Sequence, residues 1–522
     1  MIIVESDTMS EIDKKAMDDF AYPGILLMEN AGINCFRILE ERVFPLCGSK
    51  DAVFVCGRGN NGGDALVMAR HHFIRGNKGS IITTGNSYKE GHAKINFGLC
   101  KNLGIQILDW KKDKKASLEA LESCKIIVDG MAGTGIKGPL RENEGELCDA
   151  INSTNSYICS IDIPSGIGDN FKSSHKSINA DLTLTIGLPK ISLYYPSARK
   201  RCGKIIITDA AFPPSLLAVE NPAYTLLEKK MADRYISLPS PWSYKNSRGH
   251  AAVFAGSKGK SGAAVLSSTA ALKSLAGLVT LYTDKEIYSS LISSVTSVML
   301  NSFPPDKSFD DLLDRYDAFI TGPGWGFDIE KKELLLRLLM ETDKPVVIDA
   351  DAIPLLASIF KDQGTVFCPV KTENGSETKA VKTLFKNKNS IITPHPGEFA
   401  SLLNAPAGDI LDNPSPWLRC FCIKTGITAL LKSHVTWICM PDGKIMILDS
   451  MNPALATAGS GDILAGIIGG LLAYSLDPEK AAVSGVIIHS EAGKKCYDEK
   501  GYFTSEEILD FISHTIKEIK QA

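Results

Sequence analysis

The sequence predicts an α/β protein made of two three-layer αβα domains, each with a parallel sheet between two layers of helices. Short runs of bulky apolar residues alternate with stretches of helical periodicity through both halves of the chain, as in sheets whose strands are joined by crossover helices. Many of these runs end in glycine, asparagine or aspartate, as at residues 57–64 and 349–351. Since the carboxyl ends of parallel strands share one sheet edge, we expect the ligand sites there.

Size, charge and cysteine content favour a soluble cytoplasmic protein. The chain has 522 residues, enough for two or three full cores, and a net charge of −3, which gives no bulk attraction to nucleic acid or anionic membranes. Its 13 cysteines include no CxxC pair and indicate reduced thiols, not disulfides or a zinc site. Residues 1–15 lack the pattern of a signal peptide. The longest apolar run, 463–474, is short of the roughly 20 residues that span a bilayer.

Prolines mark the predicted boundary between the two domains. Pro213, Pro214, Pro222, Pro239 and Pro241 surround a short charged segment, and composition shifts at this point. We place the boundary near residue 222, which gives domains 1–222 and 223–522. No fixed-period repeat links the two halves.

The first domain is expected to begin with helices over residues 8–44, broken at Pro23-Gly24. Residues 52–56 then predict a strand, 57–64 a glycine- and asparagine-rich loop, and 64–73 a helix. This order places a phosphate or ribose at a sheet edge. The loop is not a Walker A loop, because the Lys-Ser/Thr pair is missing. Further strands are predicted at 81–84, 105–108, 126–129, 156–161, 180–186 and 204–208.

Two of these strand ends carry further candidate site residues. Segment 125–139 contains a GxGxxG pattern, but Pro139 and a charged stretch follow it, which argues against a standard NAD dehydrogenase fingerprint. Asp162 ends the strand 156–161 and precedes a Pro-Ser-Gly turn. It is either a working carboxylate or a capping residue in a tight turn.

Four motifs of this half resemble the NAD(P)H-hydrate epimerases, which equilibrate the two C6 epimers of a hydrated nicotinamide cofactor: LMENAG at 27–32, GNNGGD at 59–64, VDGMAGTGIKGP at 128–139 and SIDIPSG at 160–166. The resemblance implies a Rossmann-like domain in which Asp162 contacts the reacting ring, and we assign Asp162 as the acid/base. It also implies a potassium ion on Asn61, Asp129 and Ser165, whose oxygen donors suit a hard cation. The residues implied to hold the hydrated dinucleotide are Asn60, Asn61, Gly62, Gly63, Asp64, Gly133, Thr134, Gly135, Ile136, Lys137, Gly138, Pro139 and Asp162.

The second domain is expected to repeat the alternation of strands and helices. Residues 251–255 predict a strand, followed by a Gly/Ser/Lys loop that fails the spacing of a P-loop. Segments 345–352 and 390–399 predict strands that end in carboxylates and in His395-x-x-Glu398. For Glu398 we favour a role near Mg²⁺ or its waters over a two-residue zinc site. Between two candidate nucleotide segments, 424–426 is an ordinary helix-to-strand turn, and we favour 432–436 at a strand end.

Segment 452–470 combines an Asn-Pro turn, small residues, the Gly-Ser-Gly-Asp turn 459–462 and an apolar helical run. The unpaired N–H groups at the start of a helix and the helix dipole form a site for phosphate oxygens. Gly459 and Gly461 let the backbone approach an anion. Asp462 then lies where it can take a proton from a hydroxyl that faces the phosphate. The alternative is a glycine-rich core helix with Asp462 as its N-cap.

Six motifs of this half resemble the NAD(P)H-hydrate dehydratases, which have a ribokinase-like fold and remove the added water with a nucleoside diphosphate or triphosphate. They are HAAVFAGSKGKSGAAVL at 250–266, GPGWG at 322–326, DADA at 349–352, TPHPGEF at 393–399, LLKSHVT at 430–436 and NPALATAGSGDILAGIIG at 452–469. The resemblance implies that Ala263, Ala264, Gly324, His395 and Asp462 surround the hydrated nicotinamide. It also implies that Lys432, Ser433, His434, Val435, Thr436 and Gly461 hold the nucleotide.

Three features depart from this family's pattern. Ser433 stands where glycine is usual, and Ile353-Pro354 where Leu-Asn is usual; both bear on nucleotide affinity. Residues 368–389 are a longer polar insertion, expected to be a surface loop.

The sequence therefore predicts a bifunctional enzyme that epimerises hydrated NADH and NADPH and dehydrates the S epimer. We expect K⁺ in the first site, Mg²⁺ in the second, ADP as co-substrate with ATP possible, and a homo-oligomer without nucleic-acid or membrane partners. One alternative is a ribokinase-like small-molecule kinase with an accessory dinucleotide-binding domain. Another is a binding module whose first half is a catalytically silent dinucleotide sensor.

Overall fold

The computed structural model describes residues 1–85, 88, 90–306, 308–367 and 385–521. The chain divides into two compact units: Ile2–Tyr224, which we call the N-terminal unit, and Thr225–Ala522 with Met1, which we call the C-terminal unit. Residues 368–384 of the predicted insertion lie outside the described residues. None of the helices in the described part of the chain is both long and apolar enough to cross a membrane.

The N-terminal unit contains one parallel sheet in the order β4-β3-β2-β5-β6-β7-β8. Its strands are β2 Ala52–Cys56, β3 Gly79–Thr83, β4 Gln106–Asp109, β5 Ile126–Gly130, β6 Tyr157–Ile161, β7 Leu182–Ile186 and β8 Lys204–Thr208, and a short β1, Ile2–Ile3, precedes them. Because β2 is the first strand of the sheet and β3 and β5 lie on its two sides, the chain order reverses there. In open α/β sheets such a reversal opens a ligand crevice at the carboxyl edge.

Helices cover both faces of this sheet. They are α1 Ser6–Asp18, α2 Gly24–Ile38, α3 Phe44–Cys47, α4 Asn60–Ile74, α5 His92–Asn102, α6 Lys114–Ser123, α7 Glu142–Asn152, α8 Pro196–Arg199 and α9 Pro214–Leu217, with a π-helical turn at Leu39–Val43 and a 3₁₀ turn at Ile191–Tyr194. One core, which includes Phe54 and Val128, packs against α2, α4 and α5. A second, which includes Val55 and Ile127, packs against α6 and α7. Alternate residues of each strand thus enter opposite cores, as strands buried on both faces require.

The C-terminal unit has a sheet in the order β18-β17-β16-β15-β14-β13-β10-β11-β12, parallel from β16 to β12 and antiparallel at β16-β17-β18. Its strands are β10 His250–Phe254, β11 Leu278–Asp284, β12 Met299–Phe303, β13 Ala318–Thr321, β14 Val346–Ile348, β15 Ile391–Ile392, β16 Thr428–Leu431, β17 Val435–Cys439 and β18 Ile445–Asp449, and β9, Tyr224–Leu226, lies at the boundary of the units. The chain order reverses between β10 and β13. The predicted α/β fold class is confirmed.

Helix α19 occupies the centre of this unit. The helices are α10 Lys229–Tyr235, α11 Ser261–Lys273, α12 Lys285–Leu291, α13 Phe309–Arg315, α14 Ile329–Met340, α15 Ala352–Asp362, α16 Pro396–Leu403, α17 Ala407–Asp412, α18 Ser415–Thr425, α19 Ser460–Ala473, α20 Pro478–Lys500 and α21 Ser505–Ile519, with 3₁₀ turns at Lys245–Arg248 and Pro453–Leu455. A Cβ at Gly466 would lie 2.3 Å from Ser267 O, and one at Gly470 2.4 Å from Ala271 O. These glycines let α19 pack directly on the backbone of α11, which fixes where its N-terminus points.

Candidate active sites

The first site lies at the reversal between β2 and β5 in the N-terminal unit. The GNNGGD segment, predicted as a loop, instead forms the first turn of α4, whose N-cap is Gly59. A Cβ at Gly62 would lie 2.0 Å from Gly57 O, so the glycine allows the helix to start directly against the end of β2. The expectation that helix α4 begins at Asp64 was therefore wrong by one turn.

Asn61, Asp129 and Ser165 are brought together around Ala132. The buried Asp129 carboxylate accepts hydrogen bonds from the Ser165 hydroxyl at 2.5 Å and the Ser165 N–H at 2.9 Å. The Ala132 N–H donates to Ser165 Oγ at 2.8 Å, and Asn61 Nδ2 donates to Ala132 O at 3.1 Å. Asn61 Oδ1 is buried with no hydrogen-bond partner among the described residues. A hard cation is one group that could satisfy such a buried oxygen.

The other predicted dinucleotide residues, apart from Asp162, lie in the first turns of α4 or in the loop that follows β5. Gly133 approaches Asn61 so closely that an added Cβ would lie 2.9 Å from Asn61 Cβ. The loop that carries Thr134, Ile136 and Gly138 is partly exposed, and added Cβ atoms at Gly135 and Gly138 would meet open space. Asn60, Gly135, Lys137 and Pro139 are exposed, whereas Gly62, Gly63 and Asp64 are buried.

Asp162 follows β6 and makes a buried ion pair that the sequence analysis missed. Its backbone is left-handed, with φ of 64°, a strained conformation that aspartate tolerates and that often marks a functional position. Asp162 Oδ1 accepts hydrogen bonds from Lys190 Nζ and from the Ile186 N–H at 3.1 Å. Lys190 is 1% exposed, and its ammonium also donates to Ile186 O at 2.7 Å. The ion pair holds the Asp162 carboxylate in one orientation.

Asp13 and Asp64 complete this pocket. Burial raises the pKa of Asp64 well above its usual value, and the neighbouring Asp162 and Asp13 raise it further. Burial also raises the pKa of Asp13 to about 6, with Lys190 opposing and Asp162 adding to the shift. One buried cation thus faces three carboxyl groups, and burial favours the protonated forms of Asp64 and Asp13 beside the Lys190–Asp162 pair. An acid and a base are both available there.

The second site lies at the reversal between β10 and β13 in the C-terminal unit. The Gly256 N–H donates to Pro323 O at 2.9 Å, and the Ser257 hydroxyl to Gly324 O at 2.9 Å. Gly324 has φ of 56°, and an added Cβ would lie 3.0 Å from Ala263 Cβ. The structure thus brings Ala263 and Gly324 together, with the buried Ala264 one residue along α11.

Carboxylates and two lysines gather at the carboxyl ends of β14, β15 and β16. Asp349 is buried and accepts hydrogen bonds from Lys432 Nζ at 2.6 Å and Thr393 Oγ1 at 2.8 Å. Asp351 pairs with Lys260 Nζ at 2.8 Å. Burial raises the pKa of Asp462 to about 7; Asp349, Asp351 and Glu398 add to this shift and Lys432 opposes it. Asp462 can therefore exchange a proton near neutral pH.

His395 and Glu398 form the N-terminal cap of α16. His395 Nδ1 accepts hydrogen bonds from the N–H groups of Gly397 and Glu398 at 3.1 and 3.3 Å. Glu398 Oε2 accepts from the His395 N–H at 2.8 Å. Because Nδ1 is an acceptor, a neutral His395 carries its proton on Nε2. The described residues contain no group of three or more His, Cys, Asp or Glu that could hold a metal ion. A cation here would therefore also need oxygen atoms from a bound substrate or from water.

The Gly-Ser-Gly-Asp turn opens α19 as predicted, but its N-cap is Gly459, with φ of 90°. Asp462 is the third helical residue, so the alternative of Asp462 as N-cap was wrong. The Ser460 N–H donates to Thr457 O at 3.3 Å. The N–H groups of Gly461 and Asp462 have no acceptor among the described residues, as expected for a first helical turn. They remain as donors for an anion.

The predicted nucleotide segment lies beside this turn. Lys432, Ser433 and His434 form the turn between β16 and β17, and Val435 and Thr436 begin β17. A Cβ at Gly461 would lie 3.1 Å from Lys432 Nζ, so the lysine stands next to the free amides. Ser433 Oγ bonds both the N–H and the carbonyl of Val435, at 3.2 and 2.9 Å. The serine at this departure from the family pattern therefore stabilises the turn.

The other departure, Ile353-Pro354, lies in the first turn of α15, where proline is tolerated. Ile353 is buried and Pro354 is exposed. In this chain the preceding Asp349–Asp351 corner keeps its ion pairs with Lys432 and Lys260.

The fold defines a two-domain α/β enzyme with a cluster of carboxyl groups and lysines at the carboxyl edge of the sheet in each domain. A family model described as NAD(P)H-hydrate dehydratase matches residues 251–514, and one described as YjeF-related protein N-terminus matches residues 25–192. The chain belongs to the family of bifunctional NAD(P)H-hydrate repair enzymes.

Similar proteins span nearly the whole chain. The bifunctional NAD(P)H-hydrate repair enzyme of Coxiella burnetii is 31% identical, covering 91% of each chain. The enzyme of the same name from Moorella thermoacetica is 29% identical over 100% of this chain and 98% of its own length. Among solved structures, a ribokinase-like superfamily protein from Enterococcus faecalis has a TM-score of 0.47 and 25% identity over 58% of this chain and 99% of its own. The ADP/ATP-dependent NAD(P)H-hydrate dehydratase of Bacillus subtilis has a TM-score of 0.46 and 21% identity over 56% of this chain and 98% of its own.

Proposed function

We propose that the chain epimerises C6-hydrated NADH and NADPH in its N-terminal unit and dehydrates the S epimer in its C-terminal unit at the expense of ADP. One observation supports the second activity above all. Asp462, a carboxyl that titrates near pH 7, stands at a helix start beside two N–H groups without acceptors and beside Lys432. A base next to an anion site is the arrangement that transfer of a phosphoryl group to a hydroxyl requires.

In the dehydratase reaction, Asp462 takes the proton of the C6 hydroxyl, whose oxygen attacks the terminal phosphorus of ADP. The bond from that phosphorus to AMP breaks, and the Gly461 and Asp462 N–H groups and Lys432 stabilise the moving phosphoryl group. The C6–O bond then breaks, phosphate leaves with the bonding pair, and loss of the C5 proton restores the dihydronicotinamide. Phosphate is a far better leaving group than hydroxide, which is why ADP is consumed.

A magnesium ion fits the charge of this second site. The carboxyl groups of this site, on Asp349, Asp351, Glu398 and Asp462, outnumber its two lysines, Lys432 and Lys260. Repulsion among these carboxyl groups helps to raise the pKa of Asp462. Mg²⁺ is commonly held by one or two carboxylates together with substrate phosphates. We assign Glu398 as its protein ligand or as the acceptor of its waters, and the ion would neutralise charge on the phosphates.

In the epimerase reaction, Asp162 acts at the C6 carbinol. A proton donated to the C6 hydroxyl lets it leave as water, and the nitrogen lone pair stabilises the resulting cation. Water then adds to the opposite face as a base accepts its proton. Asp162 serves as this acid/base, with the substrate lying between the α4 turn and the β5 loop. Asn61, Asp129 and Ser165 would hold potassium, which supplies positive charge near the bound dinucleotide.

Removal of potassium is expected to lower the epimerisation rate severalfold without changing the dehydration of the pure S epimer. The orphaned Asn61 Oδ1 would lose the cation that satisfies it. Both rates are measured in buffers that contain K⁺ or tetramethylammonium at equal ionic strength. In Ser165→Ala, which lacks one proposed ligand, K⁺ should no longer restore the rate. Equal epimerisation rates in the two buffers would exclude the potassium assignment.

The decisive test of the whole proposal supplies purified R and S epimers of hydrated NADH with ADP and Mg²⁺ and follows the return of reduced-nicotinamide absorbance. We expect the S epimer to be consumed directly and the R epimer after epimerisation. A stable phosphorylated product would instead support the small-molecule kinase alternative. Dehydration of the S epimer while the R epimer stays unconverted would favour a catalytically silent first domain. Replacing ADP by ATP in the same assay compares the two co-substrates.

The cysteines of the described residues form no disulfide bonds with one another and are mostly buried, which supports a cytoplasmic location for the enzyme. The homo-oligomer stays a prediction, checked by light scattering of the full chain.

A further inference from the structure

A buried histidine that the reaction scheme does not use lies against the phosphate-binding turn. His489 is on α20, is 9% exposed, and places Nε2 3.1 Å from the hydroxyl of Ser460. Ser460 is the first residue of α19 and is itself buried. The contact joins two helices across 29 positions of sequence.

The His489 imidazole is neutral at physiological pH. Burial lowers the pKa of His489 to about 4; a contact with the Ser460 backbone opposes this shift, and the nearby Lys432 adds to it. A neutral ring neither binds phosphate as a cation nor serves as a strong acid. Its contribution must come from the hydrogen bond, since burying a polar ring without such a partner would cost free energy.

That hydrogen bond acts on the residue that orients the free amides. The Ser460 N–H is bound to Thr457 O at 3.3 Å, whereas the next two N–H groups, of Gly461 and Asp462, have no acceptor among the described residues. On the other side of the turn, the Ser505 hydroxyl donates to Ala458 O at 2.6 Å. The turn is thus held by α21 before Gly459 and by α20 after it.

We propose that His489 is a positioning residue for phosphoryl transfer, which holds Ser460 so that the Gly461 and Asp462 N–H groups and the Asp462 carboxyl face the reacting phosphate. The inference rests on the proposed dehydratase function of this site. Groups that orient a catalytic group through a hydrogen bond typically contribute about 10- to 100-fold in rate. The effect falls on kcat, because the turn matters most when the phosphoryl group moves.

The test compares His489→Ala, His489→Gln, Ser460→Ala and the double variant His489→Ala/Ser460→Ala in the full chain. We expect His489→Ala to lower the dehydratase kcat by about 10- to 100-fold, with the KM for ADP changed less than about threefold. Ser460→Ala should lower kcat by a similar factor. The double variant should lower kcat no more than the more damaging single variant does, because all three variants remove the same hydrogen bond. His489→Gln should restore most of kcat, since its amide can reach Ser460.

His250 provides a matched control. It is also buried, its pKa is also lowered to about 4, and its Nε2 lies 2.8 Å from Thr280 Oγ1, but at the start of β10 on the opposite sheet edge. His250→Ala should lower thermal stability about as much as His489→Ala while keeping kcat. Equal kcat losses in the two variants, multiplicative losses in the double variant, or a His489→Ala enzyme above half the wild-type kcat would each overturn the proposal. A wild-type chain without nucleotide-dependent dehydration would overturn the proposed function itself.

Discussion

Replacing Asp462 by asparagine is expected to lower ADP-dependent dehydration by about 10²- to 10⁴-fold, because the C6 hydroxyl loses its base next to the phosphate site. Burial and three neighbouring carboxyl groups bring the pKa of Asp462 to about 7. The base form therefore accumulates as pH rises, and the wild-type rate should increase between pH 6 and 8. The measurement is the initial rate of nicotinamide absorbance return from the S epimer across that pH range.

The same variant should be more stable than the wild type at pH 8. Because its folded-state pKa lies above the value near 4 of the unfolded chain, ionised Asp462 destabilises the folded state above neutral pH. The penalty shrinks as pH falls through 7 and vanishes below about pH 4, where the carboxyl is protonated in both states. At pH 8 the free energy of unfolding of Asp462→Asn should exceed that of the wild type by about 2–4 kcal/mol, as measured by urea denaturation. Asp498→Asn, at an exposed position of α20, is the control for rate and stability. Full dehydratase activity in Asp462→Asn would remove Asp462 from its role.

The site residues that directly follow strands could be predicted from the sequence. The glycine, asparagine and aspartate residues after β2, β5 and β6 were placed at one edge because strand order in parallel sheets brings carboxyl ends together. The same holds for Asp349, His395 and Lys432 in the second unit. These residues directly follow apolar runs, so the neighbouring sequence is enough to place them at the ends of strands. The start of α4 was misplaced because glycine and asparagine have low helix propensity and favour loops, and propensity does not reveal how closely Gly62 packs on the Gly57 backbone.

Lys190, Asp13 and His489 could not be placed from the sequence because each reaches its site from a distant element. Asp13 lies on the first helix, 149 positions from Asp162, and nothing in an amphipathic helix distinguishes a carboxyl that faces a pocket. His489 lies in a long helix whose buried residues are otherwise mostly small or apolar. Of the three, only Lys190 had a sequence pattern that could have indicated its role: it is the single cation within the apolar stretch 186–195. Lysine is rarely buried without a partner.

Asp162→Asn is expected to lower the epimerisation rate by about 10²- to 10⁴-fold, since the amide can neither donate nor accept the proton at the C6 carbinol. Lys190→Met should lose a comparable factor by another route. This variant lacks the ammonium of Lys190, so no buried cation would remain beside the carboxyl groups of Asp162, Asp64 and Asp13. Asp162 would then bind a proton and lose its fixed orientation. The rates are measured as the approach of a pure epimer to equilibrium, by chromatography, in the absence of ADP.

The exposed ion pair of Lys176 and Asp149 is the control for this test. It belongs to the same unit and joins the same residue types at 2.5 Å, but both side chains are more than half exposed. Surface pairs contribute little, about 0–1 kcal/mol, so Asp149→Asn should keep both stability and epimerisation. In the Asp162 and Lys190 variants, dehydration of the S epimer reports whether the rest of the chain is intact. An Asp162→Asn enzyme that epimerises at the wild-type rate would place the acid/base elsewhere, with Asp64 as the next carboxyl to replace.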